Sequence, residues 1–149
     1  MIDVSRDDLV IMMESGYVYL AMRKFQEAKQ IFEGVTVLAK KHDIPQVGLA
    51  NTYFAQGKYM ESVRILKNAV KETPESAFAQ AHLGESLLFY GKPEEARQAL
   101  QTASQLEQKG SSGDFARSLL QLMDQGYDPV KLRKDYKQKL KDVTGQPAK

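Results

Sequence analysis

Small and large apolar residues recur along this chain at intervals of 34 residues. Gly84 has a small counterpart 34 residues upstream at Ala50, and Ala50 has another at Gly16. A large apolar residue follows each of these three positions at one fixed distance. These large residues are Phe32, Leu66 and Leu100. Apolar residues near them are spaced by three and four positions, as on one face of a helix. The pattern predicts pairs of amphipathic helices that repeat with this period.

The period fits three consecutive units without a gap, at residues 9–42, 43–76 and 77–110. Gly91 separates two apolar runs in the third unit, and Gly57 stands at the same place in the second. A helix-turn-helix of ~34 residues with small and large apolar positions in register resembles the tetratricopeptide repeat, or TPR. We therefore predict an all-α fold in which three such repeats form a right-handed superhelical solenoid.

Capping signals mark several of the predicted helix ends. Ser5 is a suitable N-cap for the first helix, because two acidic residues follow it in the first turn, where the helix dipole favours negative charge. The pair Thr73 and Pro74 offers an N-cap followed by a proline at the first helical position. This pair is therefore predicted to begin the first helix of the third unit.

The repeat stops after residue 110, and the remaining sequence predicts two capping helices at about 115–125 and 129–143. We interpret residues 110–113 as a loop and Asp114 as the cap of the first of these helices. Its apolar stripe is expected to cover the open end of the last repeat, since a solenoid needs such a cover. The stripe consists of Phe115, Leu119, Leu122 and Met123.

Length and composition suit one globular domain, predicted at residues 1–143 and followed by a disordered tail at 144–149. The formal net charge of +2 gives no strong attraction to nucleic acid or to an anionic membrane. The basic last helix contains a single aromatic residue, Tyr136, which does not favour nucleic-acid binding. Neither a secretory signal nor a run of ~18 apolar residues is present, so we expect a cytoplasmic protein without a membrane span.

Side chains capable of catalysis or metal binding are scarce. The chain has no cysteine, and His42 and His82 are its only histidines. Neither belongs to a cluster with metal-ligand spacing. His42 fits an exposed cation at a helix end, and His82 fits packing or solvent exposure within a helix. No nucleophile elbow or phosphate-binding glycine loop is present. We therefore expect no enzymatic activity, no metal and no cofactor.

The first helix of each pair lines the concave side of such a solenoid, so its second apolar stripe is the candidate binding surface. Twelve residues form this predicted groove: Val10, Met13, Tyr17, Leu20, Ile44, Val47, Asn51, Phe54, Phe78, Ala81, Glu85 and Leu88. All but Asn51 and Glu85 are apolar or aromatic, and an open apolar patch of this size usually marks a binding site. The pattern predicts a protein client with an apolar or amphipathic segment. It leaves open that the C-terminal helix or a homodimer partner covers the stripe.

This composition argues against one familiar use of TPR domains. Co-chaperones of the heat-shock system resemble one another in a clamp of groove lysines, arginines and asparagines that holds a C-terminal carboxylate. Apolar side chains occupy most of that wall here. Only Asn51 would suit a clamp, and Glu85 would oppose it.

The segment at 78–100, FAQAHLGESLLFYGKPEEARQAL, resembles the third repeat of the type III secretion chaperones that serve hydrophobic translocator proteins. Residues 17–38 and 48–66 resemble their first two repeats, with the phrases IFEGVTVL and GLANTYFAQGKYMESV. The resemblance implies three TPRs plus an extra C-terminal helix. It also implies a bacterial cytoplasmic protein that holds an aggregation-prone substrate in its groove until export. The groove residues carried over by position are Tyr17, Leu20, Val47, Asn51, Phe54, Phe78, Glu85 and Leu88.

The sequence departs from that family at its start. Translocator chaperones usually carry a sizeable helical segment before the first repeat, often involved in dimerisation, whereas only residues 1–8 precede it here. This weakens the implication of a dimer. It also brings the chain nearer to the smaller TPR chaperones that hold the needle subunit as an amphipathic helix, usually with a second small chaperone. A static scaffold that joins stable partners is the alternative from another functional class.

Overall fold

A computed structural model describes residues 4–147, which fold into eight α-helices without a β-strand in that part of the chain. The helices are α1 (Arg6–Ala21), α2 (Phe25–Leu38), α3 (Asp43–Ala55), α4 (Tyr59–Glu72), α5 (Ala77–Tyr90), α6 (Pro93–Leu106), α7 (Ser111–Asp124) and α8 (Pro129–Thr144). Helices α1 to α6 pack as three consecutive pairs, and α2 and α4 also pack against the first helix of the next pair. The predicted all-α repeat fold is confirmed.

The turn inside each pair repeats the same backbone conformation. Arg23, Gly57 and Gly91 stand 34 residues apart, and all three have positive φ angles, of 58°, 74° and 94°. Glycine adopts this left-handed conformation without strain, whereas a residue with a Cβ atom does not. Arg23 therefore carries backbone strain that its two counterparts avoid.

Glycines let the paired helices approach closely at the positions identified from the sequence. A Cβ atom placed on Gly16 would lie 2.7 Å from the ring of Phe32, and one placed on Gly84 would lie 2.5 Å from Cγ of Leu100. Both large side chains are fully buried. The small-and-large pattern in the sequence therefore reflects direct contact between the two helices of a pair.

The N-terminal end of the solenoid lacks the neighbour that its later repeats have. Ile11 and Val18 are 60% and 57% exposed, although their counterparts Ala79 and Thr52 are 0% exposed. The counterparts are buried because the preceding repeat packs on them, and no helix among residues 4–147 takes that place beside α1. We call this surface of α1 the end face.

Two predicted helix starts are wrong. Thr73 does not begin α5 but ends α4, where its hydroxyl donates to the carbonyl of Ala69 at 2.8 Å. Ser76 is the N-cap of α5, and its side chain accepts from the backbone N–H of Ala79. Pro74 explains the shift, because the residue before a proline is disfavoured in helical conformation and so closes the preceding helix.

The predicted loop at residues 110–113 is also wrong beyond its first residue, because α7 begins at Ser111. The N-cap of α7 is Gly110 rather than Asp114. The carboxylate of Glu107 accepts the backbone N–H of Gly113 at 2.7 Å, within the first turn of α7. Negative charge at a helix N-terminus is favourable, so this contact extends the helix into the glycine-serine stretch.

Helix α7 packs against α5 and α6, and Leu119 is buried there beside Leu100. Phe115 and Met123 are half-buried on the same side, but Leu122 is exposed, contrary to the predicted stripe. Leu122 is exposed because α8 does not pack along α7 and so does not cover this side chain.

Helix α8 instead reaches back to α5, where Nη2 of Arg133 donates to the carbonyl of Phe89 at 2.6 Å. The second half of α8 is mostly exposed. Of the predicted disordered tail, Thr144 still belongs to α8, while Ala148 and Lys149 lie outside the described residues. Within residues 4–147, no helix combines the length and apolar character that a membrane crossing requires.

Candidate protein-binding groove

An open cavity of about 580 Å³ lies on the inner faces of α1, α3 and α5. Its lining consists of Tyr17, Asp43, Ile44, Asn51, Phe78 and His82. A smaller cavity of about 230 Å³ continues it towards the start of α7, where Phe115 forms part of the wall. Phe78 and His82 line both cavities, so the two form one trough, which we call the groove.

The groove contains several of the residues predicted from the sequence. Val10 and Ile44 are about half exposed, at 48% and 49%, and stand in register with the half-buried Phe78. The other predicted groove residues that reach the surface are only partly exposed. They are Met13, Tyr17, Leu20, Asn51, Phe54 and Glu85. Repeat register therefore places an accessible apolar row along the N-terminal halves of the inner helices.

Three of the predicted groove residues are buried. Val47 and Ala81 have no exposed surface, although Ala81 lies at the wall of the smaller cavity. Val47 packs towards the following repeat. Ala81 lies among Leu100 and Ala116, which belong to α6 and α7. Leu88 is buried as well, with Met123 packed against the same cluster. These side chains stabilise the solenoid and cannot contact a partner in this conformation.

Phe54 belongs to an aromatic cluster at the C-terminal ends of α3 and α5. Its ring centroid lies 5.1 Å from Tyr59 and 4.9 Å from Phe89, both in edge-on arrangements. The guanidinium of Arg133 stands over this cluster, 4.8 Å from the centroid of Tyr59. Helix α8 thus covers this end of the inner surface, while the cavity at Ile44 and Phe78 has no lining residue from α8.

Sequence reasoning missed His82 as a groove residue. Its ring packs edge-on against Phe78 at 4.8 Å and lies 5.6 Å from Phe115. Nδ1 of His82 is 3.4 Å from a carboxylate oxygen of Glu85, without hydrogen-bond geometry. The sequence did contain a signal for His82. Residues 14, 48 and 82 stand 34 apart, and each directly follows a residue of the predicted groove stripe.

Two polar side chains that line the groove, Tyr17 and Asp43, have partners within the protein. Burial raises the pKa of Tyr17, and a hydrogen bond with Asn51 lowers it by a smaller amount. Asp43, which sequence reasoning did not assign to the groove, accepts the hydroxyl of Ser76. Tyr17 also packs edge-on against Phe32 at 5.1 Å. These contacts hold the walls in place and leave mainly apolar surface for a partner.

The groove presents mainly apolar and aromatic surface. None of the described residues that line it is a lysine or arginine, so it lacks the cations of a carboxylate clamp. Among residues 4–147, no group of three or more His, Cys, Asp or Glu side chains is placed to hold a metal ion. The arrangement can accommodate apolar side chains of another protein.

Comparison with known proteins identifies the repeat. The tetratricopeptide repeat family matches at residues 19–81 and 53–120. No curated protein matches the sequence significantly. Among solved structures, the type III secretion translocator chaperone SycD of Yersinia enterocolitica has a TM-score of 0.70 at 21% identity, covering 78% of this chain and 90% of SycD. PcrH of Pseudomonas aeruginosa has a TM-score of 0.69 at 18% identity, covering 80% of this chain and 93% of PcrH.

Other structures with the same fold contain bound peptides. SycD has been solved with a peptide of the translocator YopD, and PcrH with the chaperone-binding region of PopB. The first TPR domain of Spaghetti (RPAP3), bound to the HSP90 peptide SRMEEVD, has a TM-score of 0.66 at 19% identity, covering 83% of this chain and 99% of that domain. The resemblance to translocator chaperones is therefore confirmed at the level of the fold, which they share with a domain that binds a different ligand.

Proposed function

The chain belongs to the tetratricopeptide repeat family, and we propose that it is a bacterial type III secretion chaperone. In this proposal it binds an aggregation-prone secretion substrate in the groove and holds it in the cytoplasm before export. The substrate is a hydrophobic translocator or the needle subunit. Both present apolar segments that would otherwise self-associate in water.

The open apolar row of the groove is the observation that carries this proposal. Ile44 and Phe78 face a cavity that no other described segment of the chain fills. An accessible apolar surface with fixed walls suits a partner that brings its own apolar side chains. Chaperones of known structure with this fold, SycD and PcrH, bind translocator segments, which supports the same kind of client here.

The end face supports a second subunit in the complex. Ile11 and Val18 are exposed on one side of α1, where the following repeats have buried residues. We propose that a second small chaperone covers this side. A homodimer is the other outcome, and the mass of the purified complex distinguishes the two.

The alternative is a scaffold that joins stable partners outside secretion. The fold itself is compatible with it, because the RPAP3 domain has similar helices and is seen with an HSP90 peptide. The two functions differ in the fate of the partner. A secretion chaperone releases its client for export, whereas a scaffold stays in the assembly.

Co-expression with candidate clients tests the proposal. The protein should keep a translocator or needle subunit soluble and should co-purify with it. Ile44→Glu should abolish capture, because an unpaired carboxylate would be buried against the apolar client. The matched control is Val37→Glu on α2, where valine is 66% exposed on the other side of the solenoid.

Circular dichroism on the same samples establishes that both variants are folded. Loss of client only in Ile44→Glu supports the groove as the binding site. Equal capture by the two folded variants would reject it. A partner that remains bound to the protein in a secretion-competent cell, and never leaves for export, would favour the scaffold.

A further inference from the structure

Charged residues are distributed unequally between the inner helices and the rest of the protein. Helices α1, α3 and α5, which form the concave side, contain one cationic side chain, Arg6. The same helices contain five carboxylates: Asp7, Asp8, Glu14, Asp43 and Glu85. All other lysines and arginines lie outside these helices, in a chain whose formal net charge is +2. The concave side is therefore acidic although the protein as a whole is slightly basic.

Two of these carboxylates stand next to the apolar row of the groove. Asp43 lines the cavity itself. Glu85 stands in repeat register with the groove residues Tyr17 and Asn51, and its side chain is 22% exposed. The second and third repeats thus each contribute one carboxylate to the margin of the groove.

Most of the cations lie away from the two cavities of the groove, although Arg133 stands over the aromatic cluster at the C-terminal ends of α3 and α5. Helix α8 contains six of them: Lys131, Arg133, Lys134, Lys137, Lys139 and Lys141. The N-caps of α2, α4 and α6 are all lysines, on the edge of the solenoid where the paired helices turn. None of these cations lines either cavity of the groove. A charged partner segment in the groove would therefore meet carboxylates without neighbouring lysines or arginines.

We propose that the client segment in the groove is cationic and amphipathic, with apolar side chains on one face and lysine or arginine beside them. The proposal rests on the groove being the client site and adds the charge of its occupant. The apolar face contacts Ile44 and Phe78, and the flanking cations approach Asp43 and Glu85. Complementary charge of this kind contributes mainly to selectivity and to the association rate.

The HSP90 peptide SRMEEVD, which the RPAP3 domain binds, has the opposite character. Three of its seven side chains are carboxylates, and its C-terminus adds another. Here such a peptide would meet Glu85 and Asp43 with no groove lysine or arginine to hold it. A preference for cationic segments would therefore distinguish this groove from the RPAP3 domain, which binds that acidic peptide.

Binding of three fluorescein-labelled synthetic peptides to the full chain tests the charge of the occupant. The first has leucine at helical spacing with lysine at the flanking positions, the second has glutamate in place of every lysine, and the third is SRMEEVD. We expect the lysine peptide to bind at least about tenfold more tightly than the glutamate peptide, since each exposed ion pair contributes up to about fivefold. This preference should shrink when salt is raised from about 50 mM to about 500 mM.

The variant Glu85→Lys tests whether the charge preference arises in the groove, because it reverses one charge at the margin of the groove. It should lower the affinity for the lysine peptide about fivefold or more and raise that for the glutamate peptide. Glu27→Lys makes the same change of charge at an exposed position on α2 and should leave both affinities unchanged. Glu85→Gln, which keeps the shape of the side chain, provides a milder variant if the lysine impairs folding.

The outcomes separate this inference from the proposed function. Equal, salt-independent binding of the lysine and glutamate peptides, competed by a client segment, would overturn the charge preference and leave the groove as client site. Stronger binding of SRMEEVD than of the lysine peptide would overturn it as well. Failure of every peptide and every client to bind would contradict both proposals.

Discussion

Gly84→Ala provides a direct test of how the repeats pack. The added Cβ atom would lie 2.5 Å from Cγ and 2.6 Å from Cδ2 of Leu100, and 3.2 Å from the carbonyl oxygen of Ala96. Cγ is the branch point of a side chain with no exposed surface, so Leu100 cannot rotate away without moving its neighbours. Either α5 and α6 must separate or Leu100 must leave its preferred rotamer.

The expected cost follows from two opposing effects. Overpacking of a dense core destabilises by about 1–3 kcal/mol. Replacement of a helical glycine by alanine offsets about 1 kcal/mol of this loss through helix propensity. We therefore expect Gly84→Ala to lower the free energy of unfolding by up to about 2 kcal/mol, and Gly84→Leu, with a larger side chain, by more. In a domain of this size, each kcal/mol corresponds to a Tm decrease of about 2–4 °C.

Gly34→Ala is the matched control. Gly34 also lies within a helix, but a Cβ atom there would have no neighbour within 4 Å. The same chemical change should therefore stabilise the protein by about 0.5–1 kcal/mol. Urea unfolding followed by circular dichroism measures both variants. If Gly84→Ala stabilises the protein as much as Gly34→Ala does, the close contact between α5 and α6 is wrong.

Three further predictions concern the first turn, the groove wall and the C-terminal helices. Arg23→Gly should raise the free energy of unfolding by about 0.5–1 kcal/mol because it removes a side chain from a left-handed backbone position, and a decrease in urea unfolding would contradict this. Burial raises the pKa of Tyr17, so above pH 10 the unfolded chain releases this proton while the folded protein keeps it. The free energy of unfolding should consequently fall as the pH rises above 10. This fall should be less steep in Tyr17→Phe than in the control variant Tyr136→Phe, which changes an exposed tyrosine. Ending the chain after Gly110 removes α7 and α8 and uncovers the apolar side of α6, so the product should aggregate in size-exclusion chromatography; an equally stable, monodisperse product would show that α6 needs no cover.

The 34-residue period determined most of the fold by itself. Contacts between the helices of one pair are local in sequence, so their residues appear as a pattern that can be read directly. Gly84 and Leu100 are an example, because the large side chain of Leu100 leaves no room for a side chain at residue 84. The same register predicted an apolar row at Val10, Ile44 and Phe78, all of which have exposed surface.

Tertiary structure decided which faces of the inner helices remain open. Val47 and Ala81 have the same apolar character as Ile44, but the third repeat covers Val47 and helices α6 and α7 cover Ala81. This burial depends on the distance and angle between the packed helices. The path of α8 is likewise absent from the periodic pattern, because Arg133 reaches a carbonyl 44 residues away. An apolar side chain in the sequence indicates only that burial is favourable for it. The packing of distant segments determines whether a neighbour is available to bury it.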